Sequence, residues 1–126
     1  MAKLPQITDS EWIIMKVLWE KSPLVNKEIV KNVSKKSTWN KKTIETLLRR
    51  LVEKGAVGFN QVNGKIREYF PLIGKEECIK EESESFLKKV YDGSVSMLMA
   101  GFIKNKNVSK EELQKLKELI NFDEEE

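Results

Sequence analysis

Histidine is absent from the 126 residues, and Cys78 is the only cysteine. Without imidazole there is no general base for a Ser-His-Asp or Cys-His site and no histidine ligand for zinc. A single thiol closes no internal disulfide and forms no CxxC pair, which fits a reducing compartment. Cys78 reads as an ordinary small side chain rather than a redox sensor. The longest unbroken apolar run, Met97 to Ile103, has seven residues, far short of the roughly 20 that a membrane-spanning helix needs. The opening stretch MAKLPQITD has no apolar core of a signal peptide, so the expected location is cytoplasmic. Carboxylates are plentiful, but no pair stands on an apolar background that would raise a pKa. No glycine loop that cradles phosphate and no metal-ligand spacing occurs, so no enzyme, no metal site and no cofactor is expected.

What is present is a balance of 40% apolar and 34% charged residues, which fits a small globular chain of one or two domains. The formal net charge of +3 conceals an uneven distribution. Residues 1–73 hold 14 basic and 7 acidic side chains, net +7, whereas residues 74–126 hold 9 basic and 13 acidic, net −4. The chain is basic in front and acidic behind.

Helical periodicity organises the front part. Thr8 and Glu11 form a capping box that predicts a helix from Asp9 to Glu20, with Trp12, Met15 and Trp19 turned to a core beside Leu18. Ser22-Pro23 breaks it. A shorter helix is expected over Asn26 to Val33, capped by Asn26 and packed through Ile29 and Val33. Asn40 caps a third helix in which Ile44, Leu47, Leu48 and Leu51 fall at i, i+3, i+4 and i+7, and Gly55 stops it. At 100° per residue, Lys42, Thr46, Arg49 and Glu53 project from its opposite face, flanked by Thr43 and Arg50 on one side and Glu45 on the other.

After Gly55 the period changes to 2. Asn63-Gly64 stands between Val57 to Val62 and Lys65 to Phe70 and predicts a β-hairpin, with Gln61 opposite Ile66 and Phe59 opposite Glu68. Pro71 ends the second strand. Helix, helix, helix and hairpin is the order of a winged helix-turn-helix.

From Lys75 three further amphipathic helices are expected. Ile79, Ser83, Phe86 and Val90, with Leu87, line the first; Val95, Leu98, Met99 and Phe102 the second; Leu113, Leu116, Leu119 and Ile120 the third. Asp92-Gly93 separates the first two, and Ser109 with Glu112 opens the last. So short a segment has too little volume to bury these stripes alone, so it is expected to dimerise. The reading is a mainly α protein, with a winged-helix DNA-binding domain over 1–73 and a helical dimerisation domain over 74–126. The acidic run Asp123 to Glu126 reads as a solubilising end.

Binding to duplex DNA requires a positive surface, a rigid element that fits a groove, and side chains that reach phosphates or base edges. The third helix, about 20 Å long at 1.5 Å per residue, fits the major groove. Lys42, Thr43, Thr46 and Arg49 are the expected donors to base edges. Lys41 and Arg50 suit backbone phosphates, as do Lys65 and Arg67 on the hairpin. Trp39 suits either packing at the start of this helix or stacking near a phosphate, and Tyr69 either closes the hairpin or offers its hydroxyl. The competing reading is a winged-helix interaction module whose third helix docks an acidic protein partner.

Ser10-Glu11-Trp12 followed by Met15 and Trp19, then Lys42-Thr43-Ile44, Leu47, Arg50-Leu51, Lys54-Gly55 and the hairpin, resembles the BlaI/MecI/CopY family of penicillinase repressors. The similarity continues through Phe86-Leu87-Lys88-Lys89-Val90-Tyr91 and Glu111-Glu112-Leu113 to Ile120. The resemblance implies a homodimeric transcriptional repressor that reads two half-sites of a pseudo-palindromic operator and dimerises through its C-terminal helices. It also implies induction through a membrane-bound sensor protease that cuts the dimerisation region before a phenylalanine, here Gly101-Phe102. This sequence departs from the staphylococcal pattern in having glycine where those repressors have asparagine, and Glu45 where they have arginine. It lacks the C-terminal cysteine cluster of the copper-responsive members.

Overall fold

The computed structural model describes residues 4–125, the last four of these by backbone alone, so the side chains of the acidic run 123–126 lie outside the described residues. Its elements are α1 (Asp9–Glu20), β1 (Leu24–Val25), α2 (Asn26–Ser34), α3 (Lys41–Glu53), β2 (Val57–Asn63), β3 (Ile66–Pro71), α4 (Lys75–Tyr91), α5 (Val95–Lys104) and α6 (Lys110–Glu125). The strands form one antiparallel sheet in the order β1-β3-β2. The chain divides into two compact units, one running to Lys80 and the other starting at Glu81, so the boundary falls within α4.

In the first unit α1 begins with the expected capping box: Thr8 N donates to Glu11 Oε1 at 2.9 Å, and Glu11 N donates to Thr8 Oγ1 at 3.2 Å. Ile14, Met15 and Leu18 are fully buried, while Trp12 and Trp19 are half-buried at the margin of the same core. The two indoles meet edge to face with centroids 5.4 Å apart. Trp19 Nε1 donates to the Ile73 carbonyl at 3.0 Å, tying α1 to the chain that leaves the sheet.

In α3 the Asn40 side chain accepts from Thr43 N at 2.9 Å, and Ile44, Leu47, Leu48 and Leu51 all face the core. Together with Ile29 and Val33 of α2 they close a three-helix core. Each such side chain contributes roughly 1.5–3 kcal/mol relative to leaving it in water. Gly55, at φ +82°, ends α3 in the left-handed conformation that a glycine adopts without a Cβ clash.

Two sequence expectations are corrected here. Asn26 is not the cap of α2: it is the first helical residue, and Val25 occupies the cap position without a side-chain hydrogen bond. The reason is β1, which pairs Leu24 with Tyr69 and Val25 with Glu68 and thereby holds residue 25 in extended backbone. The hairpin register also differs. Asn63 pairs with Ile66, so Gly64 and Lys65 form the loop, and an irregularity between Gln61 and Asn63 then puts Gln61 opposite Arg67 and Phe59 opposite Tyr69. Gly64 at φ +54° occupies the turn. One extra residue in a strand exchanges its two faces. Phe59, Gln61, Arg67 and Tyr69 consequently share one face of the wing.

The second unit is helical, as expected. Asp92 and Gly93 form the turn between α4 and α5 with φ of 51° and 85°, and the Ser94 side chain caps α5 by accepting from Met97 N at 3.2 Å. Ser109 accepts from Glu112 N at 3.1 Å at the start of α6. Among its described residues none is buried. Phe86, Val90, Val95, Phe102 and Ile120 are exposed, and Leu98, Met99, Leu113 and Leu116 half-exposed. No helix among the described residues is long and apolar enough to cross a membrane.

Candidate nucleic-acid interface

The apolar stripe of α3 is consumed by the core, which fixes the rotation of the helix about its axis. Its opposite face therefore has to point away from the unit. Lys41, Lys42, Thr43, Arg49 and Arg50 are exposed there, with Thr46 and Glu45 half-buried beside them. Among the described residues Lys41, Lys42, Arg49 and Arg50 form no ion pair, so their charge is available to a polyanion.

Thr46 requires a correction. Its Oγ1 donates to the Lys42 carbonyl one turn back at 2.9 Å, so it offers an incoming group lone pairs rather than a free hydroxyl proton. Glu45 leaves one acidic group within an otherwise cationic and hydroxyl-bearing surface, where it can accept from a cytosine amine but repels phosphate.

The wing carries the second group of candidate side chains. Lys65 is exposed in the hairpin loop. Arg67 holds its guanidinium 4.3 Å over the Phe59 ring, and that ring lies 5.9 Å from the ring of Tyr69. Tyr69 is half-buried against the core, as is Trp39, so both aromatic side chains pack in this structure. The column from Tyr69 through Phe59 to Arg67 braces the wing and presents its cation at a defined place.

The far end of α3 is anchored. Lys54 Nζ donates to the Gln6 carbonyl at 2.8 Å and makes a close ion pair with Glu11, whose side chain is 1% exposed. Burial pushes the Glu11 carboxyl up, but the hydrogen bond from Lys54, those from the Thr8 amide and hydroxyl, and the lysine charge together outweigh it. The net result is a carboxyl below its ordinary range.

Sequence reasoning missed Asn26 and Lys27, which flank a cleft of about 550 Å³ together with Lys65, Arg67 and Tyr69. The signal for it lies in β1, whose two residues are too few to show any periodicity.

Three packed helices with a cationic outward α3 and a braced hairpin define the winged helix-turn-helix class. The penicillinase repressor model matches residues 7–122. The penicillinase repressor of Bacillus licheniformis is 38% identical over 120 residues, covering 95% of this chain and 93% of that protein. The methicillin resistance regulatory protein MecI of Staphylococcus aureus (strain N315) is 29% identical over 119 residues, 94% of this chain and 96% of its own length. The solution structure of monomeric Bacillus licheniformis BlaI in complex with the blaP half-operator is 43% identical with a TM-score of 0.53, covering 61% of this chain and 93% of that one. The chain belongs to the penicillinase repressor family.

Proposed function

We infer that the protein is a DNA-binding transcriptional repressor, not an enzyme, that works in the cytoplasm as a homodimer on a pseudo-palindromic operator. The observation that carries this reading is the outward face of α3, where four cations without ionic partners among the described residues stand beside a wing. The half-operator held by the related BlaI supports it. In this assignment Lys42, Thr43 and Arg49 address base edges in the major groove and Thr46 accepts, while Lys41, Arg50, Lys65 and Arg67 neutralise phosphates.

Residues 1–73 carry the DNA contacts in this reading, and residues 74–126 pair two copies through Phe86, Val90, Val95, Leu98, Met99, Phe102, Leu113, Leu116 and Ile120. Exposed or half-exposed apolar side chains along all three helices support that pairing. Linking two winged helices makes the second half-site contact effectively intramolecular. Cutting Gly101-Phe102 by a membrane-bound sensor protease would release the operator by removing this link. The bond lies within α5, so cleavage requires local opening of the helix, and glycine at that position costs about 1 kcal/mol of helix stability relative to alanine.

The test is an unbiased selection of bound duplexes, followed by titration at two salt concentrations. A recovered palindrome and a steep loss of affinity with salt are expected. No enriched sequence and salt-insensitive binding would instead favour docking of an acidic protein by α3.

A further inference from the structure

Two helices of this chain end in the same hydrogen-bonded motif, built from different residues. At the end of α3, Ala56 N donates to the Leu51 carbonyl at 3.0 Å and Gly55 N to the Val52 carbonyl at 3.0 Å. At the end of α5, Asn107 N donates to the Phe102 carbonyl at 2.9 Å and Lys106 N to the Ile103 carbonyl at 3.1 Å. Both are Schellman stops, which require one residue in the left-handed conformation. In α3 that residue is Gly55 at φ +82°, and in α5 it is Lys106 at φ +58°. A side chain there brings its Cβ close to the following carbonyl, a strain that glycine escapes. The motif is commonly sealed by an apolar contact between the residue that follows and the last turn. Ala56 and Leu51 are completely buried, whereas Asn107 is polar and both it and Phe102 are exposed. On both counts α5 has the weaker stop.

The weak stop closes the turn that contains Gly101-Phe102. The Phe102 carbonyl is one of its acceptors, and the Gly101 carbonyl accepts from Asn105 N at 3.1 Å. While these bonds persist, both carbonyls flanking the peptide bond are engaged in helix and the backbone is not extended. We propose that Lys106 is a weak conformational latch: its left-handed stop sets how often the last turn of α5 opens, and thereby how often Gly101-Phe102 is exposed to a protease. The proposal deepens the reading of release by proteolysis and rests on it. Hydrolysis in the open state adds one water across the bond, leaving a carboxylate on Gly101 and an amine on Phe102. The opening is local, confined to the end of one helix.

The experiment follows amide hydrogen exchange in the full-length chain and its Lys106→Gly, Lys106→Ala and Gly101→Ala variants. Protection of the Asn105 and Asn107 amides should rise about 5-fold in Lys106→Gly, the ratio that corresponds to about 1 kcal/mol. Lys106→Ala removes the charge but keeps the Cβ, so it should match the parent. Gly101→Ala should raise protection of Asn105 by a similar factor. Its added methyl meets nothing nearer than the Tyr91 hydroxyl at 3.7 Å. The Met97 amide, bonded to Ser94 at the other end of α5, should stay unchanged in Lys106→Gly. Unchanged protection in Lys106→Gly, an equal rise in Lys106→Ala, or an equal rise at Met97 would overturn the latch. So would protection that increases with protein concentration, which would assign the opening to separation of two copies. Thermolysin, which cuts on the amino side of bulky apolar residues, reads exposure of the bond itself. When reclosing outpaces cutting, its rate between residues 101 and 102 tracks the open population and should fall by the same factor in Lys106→Gly. A parental cutting rate beside raised protection would overturn the link between latch and bond. If induced cells released the operator with the chain uncut, the proteolytic reading would fall, a result distinct from unchanged protection in Lys106→Gly.

Discussion

The two units bury their apolar side chains to different degrees. In the first, Ile14, Leu18, Ile29, Ile44 and Leu51 are completely removed from solvent within one chain. In the second, no described residue is buried, and Val95, Leu119 and Ile120 are each more than half exposed. Both units contain amphipathic helices with capped starts, so helix formation does not distinguish them. The difference lies in closure. Three helices and a sheet enclose a core around α1, whereas the apolar side chains of α5 and α6 lie exposed or half-exposed. A sequence can therefore specify every helix of a region without enclosing a core in it.

The strongest way to break this contrast is Leu98→Ser combined with Phe102→Ser. Operator affinity should fall about 100-fold or more through loss of the linked second contact. Sedimentation should show monomers, while thermal unfolding of the first unit stays in place. An intact dimer in sedimentation would count against the assignment of these two side chains.

Next in size is Leu51→Ala, at a fully buried position of the first unit. It should cost about 2–5 kcal/mol in urea unfolding, because the cavity adds to the lost transfer energy. The same change at exposed Leu119 should move a monomeric preparation by less than about 0.5 kcal/mol. Similar losses at the two positions would abolish the distinction between closed and open units.

Within the first unit, Arg49→Ala should cost about 1–3 kcal/mol on the operator and relax preference at one base position. Lys65→Ala should weaken all duplexes alike and reduce the salt slope by about one. Competition binding against operator variants separates the two.

The smallest effect is the pH response of the first unit. The Glu11 carboxyl is depressed in the folded state, so its contribution is complete above the ordinary carboxylate range. It is lost as pH falls through that range toward the folded value. Denaturant midpoints followed downward in pH should show this loss, and Glu11→Gln should remove that part of the pH dependence.

Much of this organisation was legible in the sequence because it is local. Thr8 with Glu11, Asn40 with Thr43, and Gly55 are short-range signals, and the structure shows each of them in use. What escaped depended on partners distant in the chain. β1 is defined by Tyr69 and Glu68, more than forty residues away, and it shifted the cap of α2 from Asn26 to Val25. Asn63-Gly64 marks the hairpin, but the irregularity between Gln61 and Asn63 leaves no sequence mark, so the observed pairs differ from those that a two-residue Asn63-Gly64 loop implies. The outward facing of Thr46 is readable from periodicity, whereas the choice of its hydroxyl between solvent and the Lys42 carbonyl is not. The outward placement of Lys41, Lys42, Thr43, Arg49 and Arg50 was legible because it complements the stripe that the core takes.

The Lys54 contact at the end of α3 has a consequence for how recognition tolerates error. Because Lys54 joins the last turn to Gln6 and Glu11, and Ile44, Leu47, Leu48 and Leu51 are buried in the core, the helix is held in place before any DNA arrives. A probe fastened in this way loses little conformational freedom on docking and has few ways to tilt toward an imperfect site. Lengthening or shortening that tether would alter discrimination between neighbouring sequences before it altered grip, making a residue at the end of α3 a determinant of fidelity.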